Sequence, residues 1–511
     1  MDSPSKKEMD ESVYFYNEGA FFKGAEAISE LYAVGAKKKH WKWMYNRVFG
    51  VKFLAELGYV CVSKNRKVLS TVTRLLYGKF EQKSEGVDRL HSRVYANSKE
   101  TGFSEDVVYQ SRIETYVIAR SLFFRGMGLV YLLAFGSLLF QVEGLFGSQG
   151  ILPISSYVGK IVSASKEWSF PSLFLIFNSD TFLITATVIG VISGGLMIFG
   201  ILPGITSFIS WMLYLSFVTL GQNFMSYQWD VLLLEAGFLL LFFVPWGFSI
   251  FNKPTKKPSR LVLFMLKLLL FRLMFTAGLV KLISGDYTWK TLTSLDYHFY
   301  TQPLPHFISW YAHQLPEYIK KIGVGFTFFI ELVVPFLYFM PRRPRHFAFF
   351  LTTLFMVFIM ATGNYGFFNI LVIVLSFVLL DDFFILSKLP NRIKSLIDLR
   401  YRVVEEGVIC KYLIRIVVCC LLVPMTYMEC ARFVTDRLIV PQSVQFLGGI
   451  SQHFRLFSPY GLFAVMTKER KEVVIQASVD GDVWEEYEFK WKPGDLASAP
   501  KWAFPHQPRL D

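Results

Sequence analysis

The stretch RLVLFMLKLLLFRLMFTAGLVKLISGDYTWKTLTSLDYHFYTQPLPHFISWYAHQLP, from Arg260 to Pro316, decides the fold class of this chain. Its first part, up to Ile283, is almost entirely apolar and is longer than the roughly 20 residues that a helix needs to cross a bilayer. Its second part is a polar, aromatic and proline-interrupted connection with two aspartates and three histidines: Asp286, Asp296, His298, His306 and His313. A connection that only joins two helices does not need so many groups able to form specific contacts, so we expect functional residues in this loop.

The composition of the whole chain agrees with a membrane protein. Of its 511 residues, 53% are hydrophobic and 18% are charged, and the mean hydropathy is +0.38. These values indicate a multi-pass α-helical membrane protein in contact with membrane lipid. The net charge of +13 could indicate a nucleic-acid partner, but membrane proteins concentrate Lys and Arg in cytosolic loops, so no nucleic acid is predicted.

The apolar runs predict about nine membrane spans, an odd number. They lie near residues 119–140, 181–202, 204–222, 229–250, 260–283, 322–340, 346–362, 366–380 and 412–429. The eighth run is short and could form a hairpin with the seventh. The second contains Gly190-x-x-x-Gly194, a spacing that lets helix backbones approach closely.

Basic residues predict the orientation of these spans, since Lys and Arg concentrate in cytosolic loops. Clusters at 253–260, 342–345 and 388–411 follow the fourth, sixth and eighth spans. They are therefore predicted to be cytosolic, together with a polar N-terminal region, residues 1–118. The helical membrane domain is predicted at 119–430, with its loop 285–321 on the opposite, lumenal side.

Residues 431–511 are predicted to form a small β-rich lumenal domain. The runs Val473 to Val479 and Val483 to Trp491 read as two strands. The Asp480-Gly481 pair between them is a strong hairpin signal.

Ionisable residues inside the apolar runs form a first set of candidates. They are Arg125, Glu235, Lys267, Arg272, Lys281, Glu331 and Arg415. Charges at bilayer depth usually face the bundle interior and pair, so Glu235 and Glu331 are predicted partners of Lys267 or Arg272. Two interpretations stay open: buried ion pairs that fix helix packing, or a polar cavity for a proton, quinone or lipid.

A second set lies at the predicted lumenal face and in the loop. Gln222, Trp229 and Asp230 are placed at a membrane face, where Asp230 near a helix start suits the helix dipole. The loop candidates, functional or structural, are Asp286, Trp289, Asp296, Tyr297, His298, Gln302, Pro303, Trp310 and His313. For the histidines, structural hydrogen bonds and a ligand or catalytic role are both possible.

Recognised catalytic and cofactor motifs are missing from the sequence. It contains no phosphate-binding glycine loop, no G-x-S-x-G nucleophile elbow, no C-x-x-C pair and no H-x-x-x-H spacing with an adjacent Glu. Catalytic residues, a metal and a cofactor are therefore not predicted. The five cysteines do not form a disulfide framework, and the polar N-terminus predicts no cleaved signal peptide.

Several long segments carry a family resemblance, which extends from about Thr115 to Asp511. They are QGILP (149–153), GQNFMSYQWDVLLLEAGFL (221–239), the stretch 272–316 quoted above, VIQASVDGDVWEEYEFKWKPGD (474–495) and PHQPRLD (505–511). The chain resembles the lipase maturation factor family of endoplasmic reticulum membrane proteins. Family members continue past the PHQPRLD segment, so the resemblance implies a shortened lumenal domain here.

This resemblance implies a chaperone-like role, in which secretory client proteins such as lipases reach their folded form in the lumen. A more distant resemblance to gamma-carboxylase-type membrane proteins implies an alternative, a membrane enzyme that acts with a lipophilic cofactor. Its candidate residues would be Lys267, Arg272, Lys281 and His298. A transporter ranks last, because the sequence shows no internal repeat.

Overall fold

The computed structural model describes residues 14–17, 20–23, 115–164, 170–246, 258–390, 442–494 and 498–509. The chain divides into two compact units, residues 1–91 and 92–511. Within the described residues of the first unit, β1 (Tyr14–Asn17) and β2 (Ala20–Lys23) form an antiparallel hairpin with Tyr14 opposite Lys23. The predicted cytosolic region 1–118 otherwise lies almost entirely outside the described residues.

The described part of the second unit is mainly helical. Its helices are α1 (Val117–Leu139), α2 (Val142–Phe146), α3 (Ile154–Ser163), α4 (Asp180–Phe199), α5 (Pro203–Leu220), α6 (Gln228–Phe243), α7 (Arg260–Ile283), α8 (Tyr287–Lys290), α9 (Ser294–Thr301), α10 (Phe307–His313), α11 (Glu317–Leu332), α12 (Arg342–Thr362), α13 (Phe368–Ser376), α14 (Asp382–Lys388) and α15 (Gln442–His453). Short 3-10 turns lie at Leu173–Leu175, Gln222–Met225, Val334–Phe339 and Phe377–Leu379.

Six helices among the described residues are long and apolar enough to cross a membrane. They are α1, α4, α5, α7, α11 together with its 3-10 extension to Phe339, and α12. A seventh is reached if α13 and α14, which are bent by 107° relative to each other, count as one span. The structure therefore confirms a multi-pass helical protein but does not confirm nine spans.

The difference from nine has identifiable causes. The predicted fourth span corresponds to α6, which has only 16 residues. This helix stops at Phe243 because Pro245 follows, and the residue before a proline is disfavoured in the helical conformation. Val244 is accordingly extended, with ψ at 154°. The predicted ninth span, 412–429, lies outside the described residues, as does Arg415.

Helices α1 and α4 approach each other closely, as the Gly190-x-x-x-Gly194 spacing predicts. A Cβ atom added to Gly190 would lie 2.5 Å from the ring of Phe135. One added to Gly194 would lie 2.7 Å from the backbone nitrogen of Leu132. Side chains at these two positions would therefore force the helices apart.

The C-terminal region contains the predicted hairpin in a much smaller form. Strands β3 (Gln476–Ala477) and β4 (Glu485–Glu486) pair antiparallel, with Gln476 opposite Glu486. Asp480 closes the turn by accepting hydrogen bonds of 2.9 Å from the amides of Asp482 and Val483. The strand residues are exposed, so within the described residues no second layer covers them. A β-rich domain is not confirmed.

A candidate functional surface at the loop face

The connection between α7 and α11 is an ordered element with three short helices, α8, α9 and α10. It packs against residues 456–509, here called the C-terminal segment. The loop, this segment and the adjoining helix ends form one end of the bundle, here called the loop face. The candidate residues of the sequence divide between this face and the helices beneath it.

Asp286 joins the loop to the C-terminal segment. One carboxylate oxygen accepts hydrogen bonds from the amide and hydroxyl of Thr288, at 2.8 and 2.9 Å, and so caps α8. The other accepts from the amide of Met466 at 2.6 Å. Partial desolvation acts to raise the pKa of Asp286, but these hydrogen bonds outweigh it and hold the pKa below its ordinary value. The carboxylate is therefore a structural anchor in its charged form.

Trp289 is buried and contacts the same segment. Its indole nitrogen donates to the carbonyl of Phe463 at 3.0 Å. Its ring meets the ring of Phe328 edge-on, with centroids 5.7 Å apart. Val324 and Met466 complete a small apolar cluster around it. The loop is therefore fixed between α11 and the C-terminal segment.

His298, Gln302 and Tyr365 form the most connected polar group of the loop. The Tyr365 hydroxyl donates to Oε1 of Gln302 at 2.8 Å and lies 3.2 Å from Nε2 of His298. Nε2 of Gln302 donates to the carbonyl of Thr362 at 2.8 Å, and the Arg470 guanidinium donates to the Gln302 carbonyl. Desolvation, with the positive charge of Lys281, lowers the pKa of His298 to about 4. His298 is therefore neutral at neutral pH.

The remaining loop candidates do not converge on that group. Asp296 pairs with Lys320 at 2.7 Å, and the ammonium of Lys468 lies 5.8 Å from the ring centroid of Tyr297. The His313 ring meets the ring of Tyr300 at 5.2 Å. Pro303 and Trp310 are exposed. His306 caps α10: its Nδ1 accepts from the amide of Ile308 at 3.1 Å, and its own amide donates to the Ser309 hydroxyl at 2.8 Å.

At the predicted membrane face, Asp230 is fully buried and is held by a residue that the sequence did not single out. Arg509 donates to both carboxylate oxygens, at 2.8 and 2.9 Å. The Tyr214 hydroxyl adds a third hydrogen bond at 2.5 Å. Arg509 belongs to the PHQPRLD segment, but sequence alone could not identify a partner so distant along the chain. Gln222 and Trp229 are only half-buried, and Trp229 stacks on Tyr227 with centroids 4.5 Å apart.

Two buried ion pairs lie beneath the loop face. Glu235 pairs with Arg272, which confirms one predicted combination. The other carboxylate oxygen of Glu235 accepts from the Tyr460 hydroxyl at 2.7 Å, and the Arg272 guanidinium lies 3.8 Å from the ring centroid of Phe457. The C-terminal segment therefore completes this pair.

The prediction for Glu331 was wrong in its partner. Lys281, rather than Lys267 or Arg272, donates to both carboxylate oxygens of Glu331 at 2.9 Å. The cause is the close approach of α7 and α11 at Gly278, where an added Cβ would lie 2.8 Å from Cβ of Glu331. Lys267 instead places its ammonium 5.4 Å from the ring centroid of Tyr116.

The opposite end of the bundle carries an acidic pair that sequence reasoning missed. Asp381 is fully buried and contacts Arg342, Arg345 and His346 at 3.2, 3.3 and 3.0 Å. Asp382 accepts hydrogen bonds from the first amides of α1, which it therefore caps. The signal was present as an Asp-Asp pair directly after the eighth apolar run.

The chemistry of the loop face is that of a scaffold with bound segments. Asp286, Gln302 and Tyr365 are engaged in hydrogen bonds within the protein, and His298 is neutral at neutral pH. Among the described residues, no group of three or more His, Cys, Asp and Glu side chains could hold a metal ion. The buried Lys and Arg of the two ion pairs are bonded to glutamates.

Comparison with known proteins agrees with this architecture. Residues 118–387 match the family model for the lipase maturation factor transmembrane domain, and residues 456–511 match the model for the lipase maturation factor C-terminal domain. No solved structure matches the chain.

Curated relatives agree as well. Lipase maturation factor 2 of Xenopus laevis is 32% identical over 77% of this chain and 70% of the relative. The human protein of that name is 30% identical over 77% and 71%. Lipase maturation factor 1 of Mus musculus is 30% identical over 78% and 73%. The chain belongs to the lipase maturation factor family.

Proposed function

We propose that this protein is a maturation factor of the endoplasmic reticulum membrane that assists the folding, assembly and secretion of lipases. The names of its relatives support a lipase client. The basic clusters support a cytosolic N-terminus, with the loop face and the C-terminal segment in the lumen. Other secretory proteins are possible further clients of the same surface.

The observation that carries this proposal is that parts of the C-terminal segment are buried against the loop and the helices, while another part is exposed. The loop and the helices bury seven residues of this segment, whereas residues 479–488 between them are exposed. The buried residues are Leu456, Phe457, Tyr460, Met466, Ala503, Gln507 and Arg509. Here the hairpin arm, residues 473–492, presents Val479, Val483, Trp484 and Tyr487 with more than half of each side chain exposed. Such a cluster of apolar side chains in water marks a protein contact surface. A rigid base with an exposed apolar arm suits the binding of a client.

The experiment is a rescue of lipase secretion. A lipase is expressed in secretory cells that lack family members, with or without this chain, and secreted activity and secreted mass are both measured. We expect this chain to raise the activity per unit mass of secreted lipase. If activity stays at background while the chain is abundant in the endoplasmic reticulum, the proposal is wrong.

Variants of the arm make this experiment specific. The pair Val483→Asp and Trp484→Asp should reduce the rescue without lowering the abundance of the chain. The matched control is Lys471→Asp, a charge change at an exposed position of the same segment, before the apolar positions. Equal rescue by both variants would place client binding elsewhere.

The enzymatic alternative requires Lys267, Arg272, Lys281 and His298 to act on a lipophilic cofactor. The contacts favour structural roles, because Arg272 and Lys281 are each bonded to a buried glutamate and His298 lies beside Tyr365. The double variant Lys281→Met with Glu331→Leu distinguishes the two. Replacing both members of a buried pair with apolar residues often preserves stability, so normal rescue supports structure, whereas lost rescue at normal abundance supports chemistry.

A further inference from the structure

An apolar stripe follows the end of the loop into the first turns of α11. Its members recur at helical spacing within α10 and again within α11, with Leu315 in the connection between the two helices. All are more than a third exposed: Phe307, Trp310, Tyr311, Leu315, Tyr318, Ile319 and Ile322. Four of the seven are aromatic, and two of those are tyrosines whose hydroxyls can bond with water. The stripe is too apolar for a freely solvated surface, so it requires an occupant.

The level of this stripe relative to the membrane follows from its neighbours in α12. Gln302, just before the stripe, donates to the carbonyl of Thr362, the last residue of α12. The ring of Phe326, just after the stripe, lies 6.3 Å from the ring of Phe355, about two turns or 10 Å below that end. The stripe therefore lies near the loop-side end of a membrane-spanning helix, at the depth where headgroups meet acyl chains.

The stripe is also continuous with the surface that faces lipid. Along the rest of α11 and its extension, Phe329, Val333 and Phe336 are exposed on a helix that is long and apolar enough to cross a membrane. Lys321 stands beside the stripe, where a long basic side chain can reach the headgroups, whereas Lys320 is paired with Asp296 of the loop at 2.7 Å. Lys321 is paired with Glu317 at 2.6 Å across one turn. Aromatic side chains flanked by lysines at a span end are typical of membrane interfaces.

We propose that residues 307–322 are an interfacial anchor, which lies in the headgroup region on the loop side with its aromatic stripe against the acyl chains. The occupant of the stripe is the bilayer itself. The anchor fixes the depth of the loop, and so the distance of the C-terminal segment from the membrane. This inference does not depend on the client or on the proposed function.

The test uses tryptophan quenching in the full chain, reconstituted into phosphatidylcholine vesicles with or without brominated acyl chains. The emission lost in Trp310→Phe reports Trp310, and the emission lost in Trp484→Phe reports Trp484. The two side chains are matched, since 56% and 59% of each is exposed. We expect the Trp310 component to be quenched by brominated lipid and shielded from aqueous iodide. The Trp484 component should show the reverse.

A Trp310 component that iodide quenches and brominated lipid does not would overturn the proposal. So would protection of Trp310 from iodide only when a lipase is added, because the stripe would then be a protein-docking surface. A second reporter, Tyr318→Trp, keeps the test valid if Trp310→Phe does not fold. Tyr318→Trp keeps an aromatic side chain in the stripe and should add a component quenched by brominated lipid; if that added component is quenched by iodide alone, the anchor is excluded.

Discussion

Two parts of the C-terminal segment, the tail and the hairpin arm, behave in opposite ways. The tail, residues 498–509, has no helix or strand, yet Ala503, Gln507 and Arg509 are buried in the bundle. The hairpin arm has the strongest local signal of the region, yet every side chain from Val479 to Glu488 is exposed. Local propensity therefore does not decide which part of the segment is bound.

The tail is bound because side chains of the helices supply hydrogen-bond partners for its backbone. Asn364 donates to the carbonyl of Lys501 and accepts from the amide of Ala503, both at 3.1 Å. The Ser137 hydroxyl accepts from the amide of Gln507 at 2.8 Å. Side chains of the bundle thus satisfy the backbone of the tail in place of a β-ladder. The arm satisfies its turn through its own Asp480, and its Lys490 carbonyl accepts from the Lys501 ammonium at 3.2 Å.

The largest expected effect is at the deep end of the tail. Arg509→Ala leaves the fully buried Asp230 without its ion-pair partner, which should cost about 3–5 kcal/mol. We expect the tail to detach and the apparent unfolding temperature to fall. Limited proteolysis and thermal unfolding of the purified chain in detergent measure the two effects.

Two further variants test whether this loss comes from the pair. Lys471→Ala removes a positive charge from an exposed position of the same segment and should change little. Asp230→Asn combined with Arg509→Gln removes both charges and should recover part of the loss, since coupled residues are not additive. A double variant as unstable as the sum of the single variants would contradict the pairing.

A smaller effect is expected where the tail passes a turn between α12 and α13. Gly366 has φ of +53°, and an added Cβ would lie 2.6 Å from the side chain of buried Gln507. Gly366→Ala should cost about 1–3 kcal/mol for the left-handed backbone and more for the clash with the tail. Thermal unfolding and proteolysis of the tail detect both.

The arm offers a matched control for this prediction. Gly481 also has a positive φ, +86°, but an added Cβ would meet nothing within 4 Å. Gly481→Ala should therefore show the backbone cost without release of the tail. If the two alanine variants behave alike, the contact between Gly366 and Gln507 is unimportant.

These contrasts show what the sequence could predict. The predicted span 260–283 coincides with α7, Arg260–Ile283, because the apolar run and its capping Ser259 are both local signals. The hairpin turn at Asp480-Gly481 was also found. The contacts of Arg509 with Asp230 and of Tyr460 with Glu235 were not, because no pattern links residues so far apart. The early end of α6 was missed because hydropathy outweighed Pro245.

The loop residues likewise show that the sequence predicts local features but not distant contacts. Their number and variety predicted a site, and the structure engages them in contacts. It distributes those contacts between α11, the end of α12 and the C-terminal segment instead of gathering them around one cavity. Residue type could indicate that Asp286 and His298 make specific contacts. Only the path of the C-terminal segment determines which contacts they make.

An effect of intermediate size on stability depends on pH. It concerns the polar group formed by His298, Gln302 and Tyr365. Burial lowers the folded-state pKa of His298 to about 4, against an ordinary value of 6.5, so the unfolded chain takes up this proton first. Its contribution to stability is complete above pH about 6.5 and is lost as the pH falls toward 4. We expect the apparent unfolding temperature of the wild type to fall more steeply over this range than that of His298→Gln.

The control for the pH effect is His453→Gln, at an exposed position of α15. It should keep the pH dependence of the wild type. If His298→Gln and the wild type lose stability in parallel, a different group governs the acid sensitivity of the loop face.

The smallest effect on stability is expected for a variant of the hairpin arm. The same variant tests the proposed function of the arm. Trp484→Ala removes a large side chain that is mostly exposed, so the unfolding temperature should change by less than the equivalent of about 0.5 kcal/mol. Under the proposed function, lipase rescue should nevertheless fall, because the variant removes apolar contact area from the proposed client-binding arm. Arg509→Ala should reduce rescue only together with stability. If Trp484→Ala instead destabilises the chain, the arm is packed against an element outside the described residues, and the division between a bound tail and a presented arm fails.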